Sequence, residues 1–183
     1  VTTSPRDALL ERAVAWFASN GVGETSLRSL AAGIGTSHRM LIYHFGSKEG
    51  LLAAVVEDVW RQQQTVLDDL LADAADPLAA AWSFWDQLAD ANDVFAPLFF
   101  ELSASAMQGH AWAASLRTWM SVWNDTLARL FRGLGHPPQR ADVLGRTALA
   151  VTRGTLFELA LTGDRAAADE TVRAFLESTR RPG

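Results

Sequence analysis

The chain has 183 residues, 49% hydrophobic and 20% charged, with a formal net charge of −5; at this size a chain buries roughly 70% of its unfolded surface, and the composition excludes intrinsic disorder. Cysteine is absent, which excludes disulfide scaffolds, thiol catalysis, iron–sulfur clusters and thiolate zinc sites. The longest run free of charged side chains, Leu102 to Leu116, is too short and too polar to span a bilayer, and Asp7 and Glu11 stand where an export signal needs an apolar core, so a cytoplasmic protein without a membrane anchor is expected.

Helix signals recur along the chain and strand signals are almost missing, which predicts an all-α fold of about nine helices. Ser4-Pro5-Arg6-Asp7 places a cap, a first-turn proline and an acid. Leu9, Leu10, Ala13, Val14 and Phe17 follow at helical spacing, and Gly21 supplies a left-handed stop. Thr25 or Ser26 caps a short second helix with Leu27, Leu30 and Ala31 inward. Gly33-Ile34-Gly35 breaks it, and Thr36 caps a third short helix reaching about Tyr43. Gly46-Ser47 opens a connector helix over about 47–73, with Leu51, Leu52, Val55, Val56 and Val59 on one side.

Asp76-Pro77 starts a fifth helix, with Leu78, Ala81, Trp82, Trp85, Leu88 and Ala89 in one stripe. Asn92-Asp93 interrupts it, and a segment from about Val94 to Met107 carries Phe95, Phe99, Phe100 and Leu102. After Gly109, the residues Trp112, Leu116, Trp119, Met120, Trp123, Leu127, Leu130 and Phe131 predict one long stripe on a single helix. Gly133 to Pro138 reads as a loop. Helices over about 139–161 and 165–180 close the sequence.

Ala31, Gly35 and Leu41 have the spacing of a helix-turn-helix: a small residue where two helices cross, a residue tolerant of positive φ in the turn, and an apolar residue packing back. Thr36, Ser37, His38 and Arg39 then form the first turn of the second helix, the end that a DNA reader inserts in the major groove. Arg39 suits guanine, while Ser37 and His38 reach bases or phosphates. Tyr43, His44 and Lys48 follow, with Lys48 beside a helix N-terminus that suits phosphate. Thr25 and Ser26 offer a second helix start of that kind. Arg28 is either a phosphate contact or a solvated surface arginine, and Tyr43 either touches DNA or packs. Residues 1–50 carry five cations against four acids, or +1, and the other 133 residues carry −6; the acidic total does not exclude DNA binding, because only the local footprint matters.

From Thr25 through Leu51 the chain resembles the DNA-binding domain of TetR-family transcriptional regulators. The residues that carry the resemblance are Thr25-Ser26-Leu27-Arg28-Ser29-Leu30-Ala31, Gly35-Thr36-Ser37, Leu41-Ile42-Tyr43-His44-Phe45 and Lys48-Glu49-Gly50-Leu51. Ile42 departs from the tyrosine usual there, and Arg39 from a common small residue. The resemblance implies a helix-turn-helix domain over 1–50 and a ligand-binding and dimerisation domain over 74–183. It also implies a homodimer on a palindromic or near-palindromic operator, a pairing of helices 139–161 and 165–180 between subunits, and repression relieved by a small-molecule effector. On those helices Val151, Gly154, Thr155 and Glu158 form one candidate face, and Val172, Phe175, Leu176 and Thr179 the other.

Trp82, Trp85, Phe99, Trp112, Trp119 and Trp123 are either core or the walls of a flat apolar pocket for an aromatic ligand. Glu101 is either a solvated face residue or a buried anchor for a cationic or hydroxylated ligand. Nothing calls for a cofactor. His38 and His44 are six residues apart, a poor spacing for metal, and zinc-protease, di-iron, nucleophile-elbow and phosphate-loop motifs are absent. Gly33-Ile34-Gly35 begins like a dinucleotide fingerprint but lacks the third glycine and a preceding strand. A regulator is therefore expected rather than an enzyme, with a ligand sensor or carrier bearing a vestigial DNA head as the alternative.

Overall fold

The computed structural model describes residues 4–22, 25–72 and 76–180. Among these residues are nine α-helices and no strand: α1 (Pro5–Asn20), α2 (Leu27–Gly33), α3 (His38–Phe45), α4 (Lys48–Ala72), α5 (Pro77–Asp90), α6 (Asn92–Met107), α7 (Ser115–Gly133), α8 (Pro138–Thr162) and α9 (Arg165–Ser178). A short 3₁₀ turn, Ala111–Ala113, precedes α7. The all-α expectation holds.

Several boundaries differ from the sequence reading, each for a local reason. Ser37, not Thr36, caps α3: its Oγ accepts the Met40 N–H at 3.2 Å, while the Thr36 N–H donates back to the Ala31 carbonyl at 2.9 Å and belongs to the turn. Ser26 caps α2 in a reciprocal box with Ser29, both bonds at 3.1 Å. The Thr25 hydroxyl instead donates to the Gly21 carbonyl at 3.0 Å. The break between α5 and α6 falls at Ala91, and Asn92 is a buried residue. With its amide turned to match its neighbours, Asn92 donates to Leu156 O at 3.3 Å and accepts from Ala160 N at 3.0 Å. Trp112 lies in the 3₁₀ turn, so it does not share a helix with Trp119 and Trp123.

Contacts gather the described residues into two compact units. The first comprises those up to Arg61 with Pro97–Thr118, and the second those of 62–96 with those from Trp119 onward. The sequence reading divides the chain by position, near 73/74, whereas the contacts group residues 97–118 with the N-terminal helices. In the first unit Leu9, Leu10, Ala13 and Phe17 of α1 are buried with Leu30, Ala31, Ile34, Leu41 and Phe45. The guanidinium of Arg6 lies 5.1 Å from the centre of the Phe45 ring.

In the second unit Leu130, Phe131, Ala141, Leu144 and Ala148 form a core against which Phe175 packs, its ring edge-on to Phe131 at 6.4 Å. Gly145 permits the close crossing of α8 on α7, since a Cβ there would stand 3.0 Å from Ala128 N and 3.1 Å from Asn124 O. Thr155, Val172 and Thr179, expected on the subunit contact, are buried within this unit. They face their own chain because α8 and α9 pack on each other and on α5.

Candidate nucleic-acid interface

The helix-turn-helix is built from α2 and α3. Its three diagnostic residues behave as their chemistry requires: Ala31 and Leu41 are buried, and Gly35 has φ +67. A side chain of α1 braces the turn, since Arg12 Nη1 donates to the Ile34 carbonyl at 2.8 Å, at the C-terminal end of α2. That carbonyl would otherwise be one of the orphan acceptors at a helix end.

On α3, Leu41 and Phe45 face inward and fix which side looks out. His38, Arg39 and Tyr43 are exposed on that outer side, Tyr43 by 78%. Met40 and Ile42 flank them and are exposed as well. Ser26, Arg28 and Ser37 are exposed, while Thr25, Thr36, His44 and Lys48 are half-buried. All ten expected DNA contacts thus lie in the first unit with solvent access. His44 packs edge-on to Tyr43 at 4.9 Å, and its Nε2 is buried without a hydrogen-bond partner.

The start of α4 explains the Ser47-Lys48-Glu49-Gly50 run. Ser47 Oγ accepts the Gly50 N–H at 3.1 Å, and a Cβ on Gly50 would stand 2.1 Å from the Phe45 carbonyl oxygen. Only glycine admits that approach. Hydrogen bonds from its own backbone N–H and from Ser47 hold the Glu49 carboxyl below its ordinary value, a favourable place for an acid at a helix N-terminus.

The seven expected effector contacts do not form one group. Phe99, Glu101 and Trp112 lie in the first unit, and Trp82, Trp85, Trp119 and Trp123 in the second. Phe99 is buried against Trp60, with centroids 5.3 Å apart. Trp112 stacks on His110 at 6.1 Å. Glu101 Oε2 accepts the Val22 N–H at 2.7 Å. Trp123 is buried against Phe84 at 5.6 Å, and Trp119 is half-buried. Trp82 lies under the Arg173 guanidinium at 4.9 Å, and the buried Trp85 donates its N–H to Asp169 at 2.8 Å. Sequence reasoning missed Arg12, the Trp16–Gly33 contact and the bond from Val22 to Glu101, whose partners lie far off in sequence or are backbone groups.

Among the described residues no group of side chains could hold a metal ion, and no helix is long and apolar enough to cross a membrane.

Residues 9–55 match the family described as bacterial regulatory proteins, tetR family. No curated protein matches the sequence. Among solved structures, a TetR transcriptional regulator from Legionella pneumophila is similar, with 20% identity, a TM-score of 0.80 and coverage of 98% of this chain and 99% of that one. A transcriptional regulator from Rhodococcus sp. Rha1 has 18% identity and a TM-score of 0.79, over 98% of this chain and 100% of that one. Thermus thermophilus FadR, a TetR-family repressor in complex with lauroyl-CoA, has 16% identity and a TM-score of 0.66, over 95% and 92%. Identities this low establish the shared fold.

A helix-turn-helix of this geometry, within residues that match that family model, defines a DNA-binding domain of the kind bacterial regulators carry. Residues 9–55 thus match the tetR-family model, and the chain as a whole shares the fold of solved TetR-family regulators.

Proposed function

We propose that the protein is a cytoplasmic homodimeric repressor that binds a palindromic or near-palindromic operator and leaves it when an apolar or aromatic small molecule binds. The outer face of α3 carries this reading: Arg39, His38 and Tyr43 project to solvent from a helix whose other side is locked into the core. Arg39 reads a guanine edge, Ser37 and His38 adjoin it, and Tyr43 and His44 flank the groove. Thr25, Ser26, Arg28, Thr36 and Lys48 hold the phosphate backbone.

An exposed stripe on α8 supports the dimer. Val143, Thr147, Ala150, Gly154, Phe157 and Leu161 recur every three or four residues, and all are exposed, Phe157 by 51% and Leu161 by 71%. The Thr147 hydroxyl is already satisfied by the Val143 carbonyl at 2.9 Å. A partner helix covering this stripe strands no polar group there. On α9 the exposed Ala167, Thr171, Ala174 and Ser178 give a small-residue face beside it.

For the effector, the Phe84–Trp123 pair, with the half-buried Trp119 one turn earlier on α7, supports an aromatic wall in the second unit. The Trp85 N–H and the Trp82 ring already have protein partners. The acyl-CoA bound by Thermus thermophilus FadR is a precedent in this fold for an apolar effector.

The test is selection of a duplex from a randomised pool, followed by its release with a panel of planar hydrophobic compounds. Enrichment of a two-fold-symmetric site and release by at least one compound are the expected results. A pool that returns no consensus would instead favour a ligand sensor with a vestigial head.

A further inference from the structure

Glu101 stands on α6 one turn beyond Pro97, half-buried. Its Oε2 accepts the backbone N–H of Val22 at 2.7 Å, across 79 residues of sequence, and lies 3.5 Å from where a Cβ on Gly21 would stand. Gly21 closes α1 with φ +75 and an N–H bonded to the Phe17 carbonyl. From the α2 side, Thr25 Oγ1 returns to the Gly21 carbonyl. The described ends of the α1–α2 connection are therefore tied together, and a carboxylate from α6 holds one of them.

Bonds from an N–H to a carboxylate are roughly twice as strong as neutral ones. The carrier of this carboxylate is itself seated in the same unit. Phe99 packs on Trp60 of α4, and Leu102 is fully buried. Pro97 has no N–H to give the carbonyl four residues back, so the ladder of α6 lacks a rung immediately before the turn that carries Glu101.

We propose that Glu101 is a positioning residue for operator binding: through Val22 its carboxylate fixes the end of α1, to which Thr25 ties the start of α2, and with it the pose of α2 and α3. A shift of α6 then reaches the reading helix through this bond. The inference rests on α3 reading DNA.

The test uses the full chain, the duplex that the unmodified protein selects from a random pool, and a scrambled duplex of the same length. Glu101→Ala is expected to weaken the selected duplex about tenfold, the low end for a hydrogen bond to a charged group, with less than about a twofold change on the scrambled one. Glu101→Gln keeps an acceptor and the side-chain shape, and falls between. Amide exchange at Val22 accelerates in both, while the melting temperature moves by only a few degrees. A ratio of selected to scrambled affinity that is unchanged or increased in Glu101→Gln and Glu101→Ala, with Val22 exchange as in the unmodified protein, overturns the proposal. So does a loss shared equally by both duplexes and matched by a large fall in melting temperature. An unmodified protein that selects no sequence removes the DNA-binding reading itself, and the proposal with it.

Discussion

The indole of Trp16 lies across Gly33: a Cβ built there would stand 1.9 Å from Cζ3 and 2.3 Å from Cη2 of the ring. α1 and the end of α2 can approach this closely only because position 33 has no side chain. Gly33→Ala must therefore displace Trp16 or shift α2, and overpacking of this kind costs about 1–3 kcal/mol. The expected result is a lower midpoint in chemical denaturation together with weaker operator binding. Gly50→Ala should be worse, because there the obstacle is the Phe45 carbonyl rather than a side chain. Unchanged stability in both variants would show that these approaches are not real constraints.

Operator binding should depend steeply on salt. Two heads that together neutralise about 6–10 phosphates lose roughly 10³- to 10⁵-fold in affinity between about 50 and 200 mM salt. Lys48→Ala should lower the slope by about one and weaken all sequences alike. Arg39→Ala should instead relax the preference at one base pair, by about 1–3 kcal/mol. A randomised-site selection compares the variants directly, and an identical consensus with and without Arg39 would remove its reading role.

The helix-turn-helix was legible because its evidence is local. The spacing of Ala31, Gly35 and Leu41 encodes a crossing, a turn and a packing contact within about a dozen residues, and the structure reproduces each. Glu101 was illegible for the opposite reason: its partner is a backbone N–H 79 residues away, and no side-chain pattern advertises that. Trp112 continues the helical period of Trp119 and Trp123, yet after Gly109, with φ +83, the chain forms a 3₁₀ turn before α7 begins. Periodicity alone does not detect a change of helix type. On α9 and its C-cap, Val172 and Thr179 repeat as an amphipathic face should, but the period does not say whether that face meets its own chain or another.

The proposed subunit contact separates two phenylalanines. Phe157 is exposed on α8, and Phe157→Glu should leave the monomer's melting temperature nearly unchanged while moving the protein to monomer in sedimentation. Phe175 packs on Phe131 inside its own unit, so Phe175→Glu should instead destabilise the fold, by about 3 kcal/mol or more. Gly154 gives a third measurement. A Cβ there meets nothing within 4 Å in the single chain, so Gly154→Leu is tolerated by a monomer and resisted by a close helix partner. A fully dimeric Phe157→Glu variant would move the interface away from this stripe.

Trp119 and Trp123 should answer to effector differently from Trp85. Trp119→Phe keeps most of the aromatic wall and should weaken release from the operator with little loss of melting temperature. Trp85→Phe removes an N–H whose acceptor is Asp169, and should cost about 1–2 kcal/mol without altering release. Fluorescence quenching by the releasing compound, measured in each variant, distinguishes the two roles. Equal effects on release would contradict the division.

Asp169 also predicts how the second unit responds to acid. Its Oδ1 accepts from Trp85 Nε1 and from Arg165 Nε, each at 2.8 Å, and Arg165 reaches on to Asp86 and Asp90 of α5. This cluster ties the start of α9 to α5. Partial burial works to raise the Asp169 carboxyl, but the hydrogen bonds from Arg165 and Trp85, aided by the charges of Arg165 and Arg173, outweigh it and hold the carboxyl below its ordinary value. The Arg165 guanidinium is held above its ordinary value, first by the bond it donates to Asp169 and then by the one it donates to Asp90. A carboxyl depressed in the folded state stabilises that state above its unfolded pKa, near 4 as a rough figure, and the contribution disappears as pH falls through the folded value. Asp169→Asn removes the titrating group but leaves an oxygen for Trp85. The variant should melt lower than the unmodified protein at pH 7, and the gap should narrow steadily once the pH falls below about 4. Melting curves across that range test it. Parallel curves would mean that Asp169 keeps an ordinary pKa, because only a group bound more tightly in its charged form can make the two proteins converge when the charge is removed.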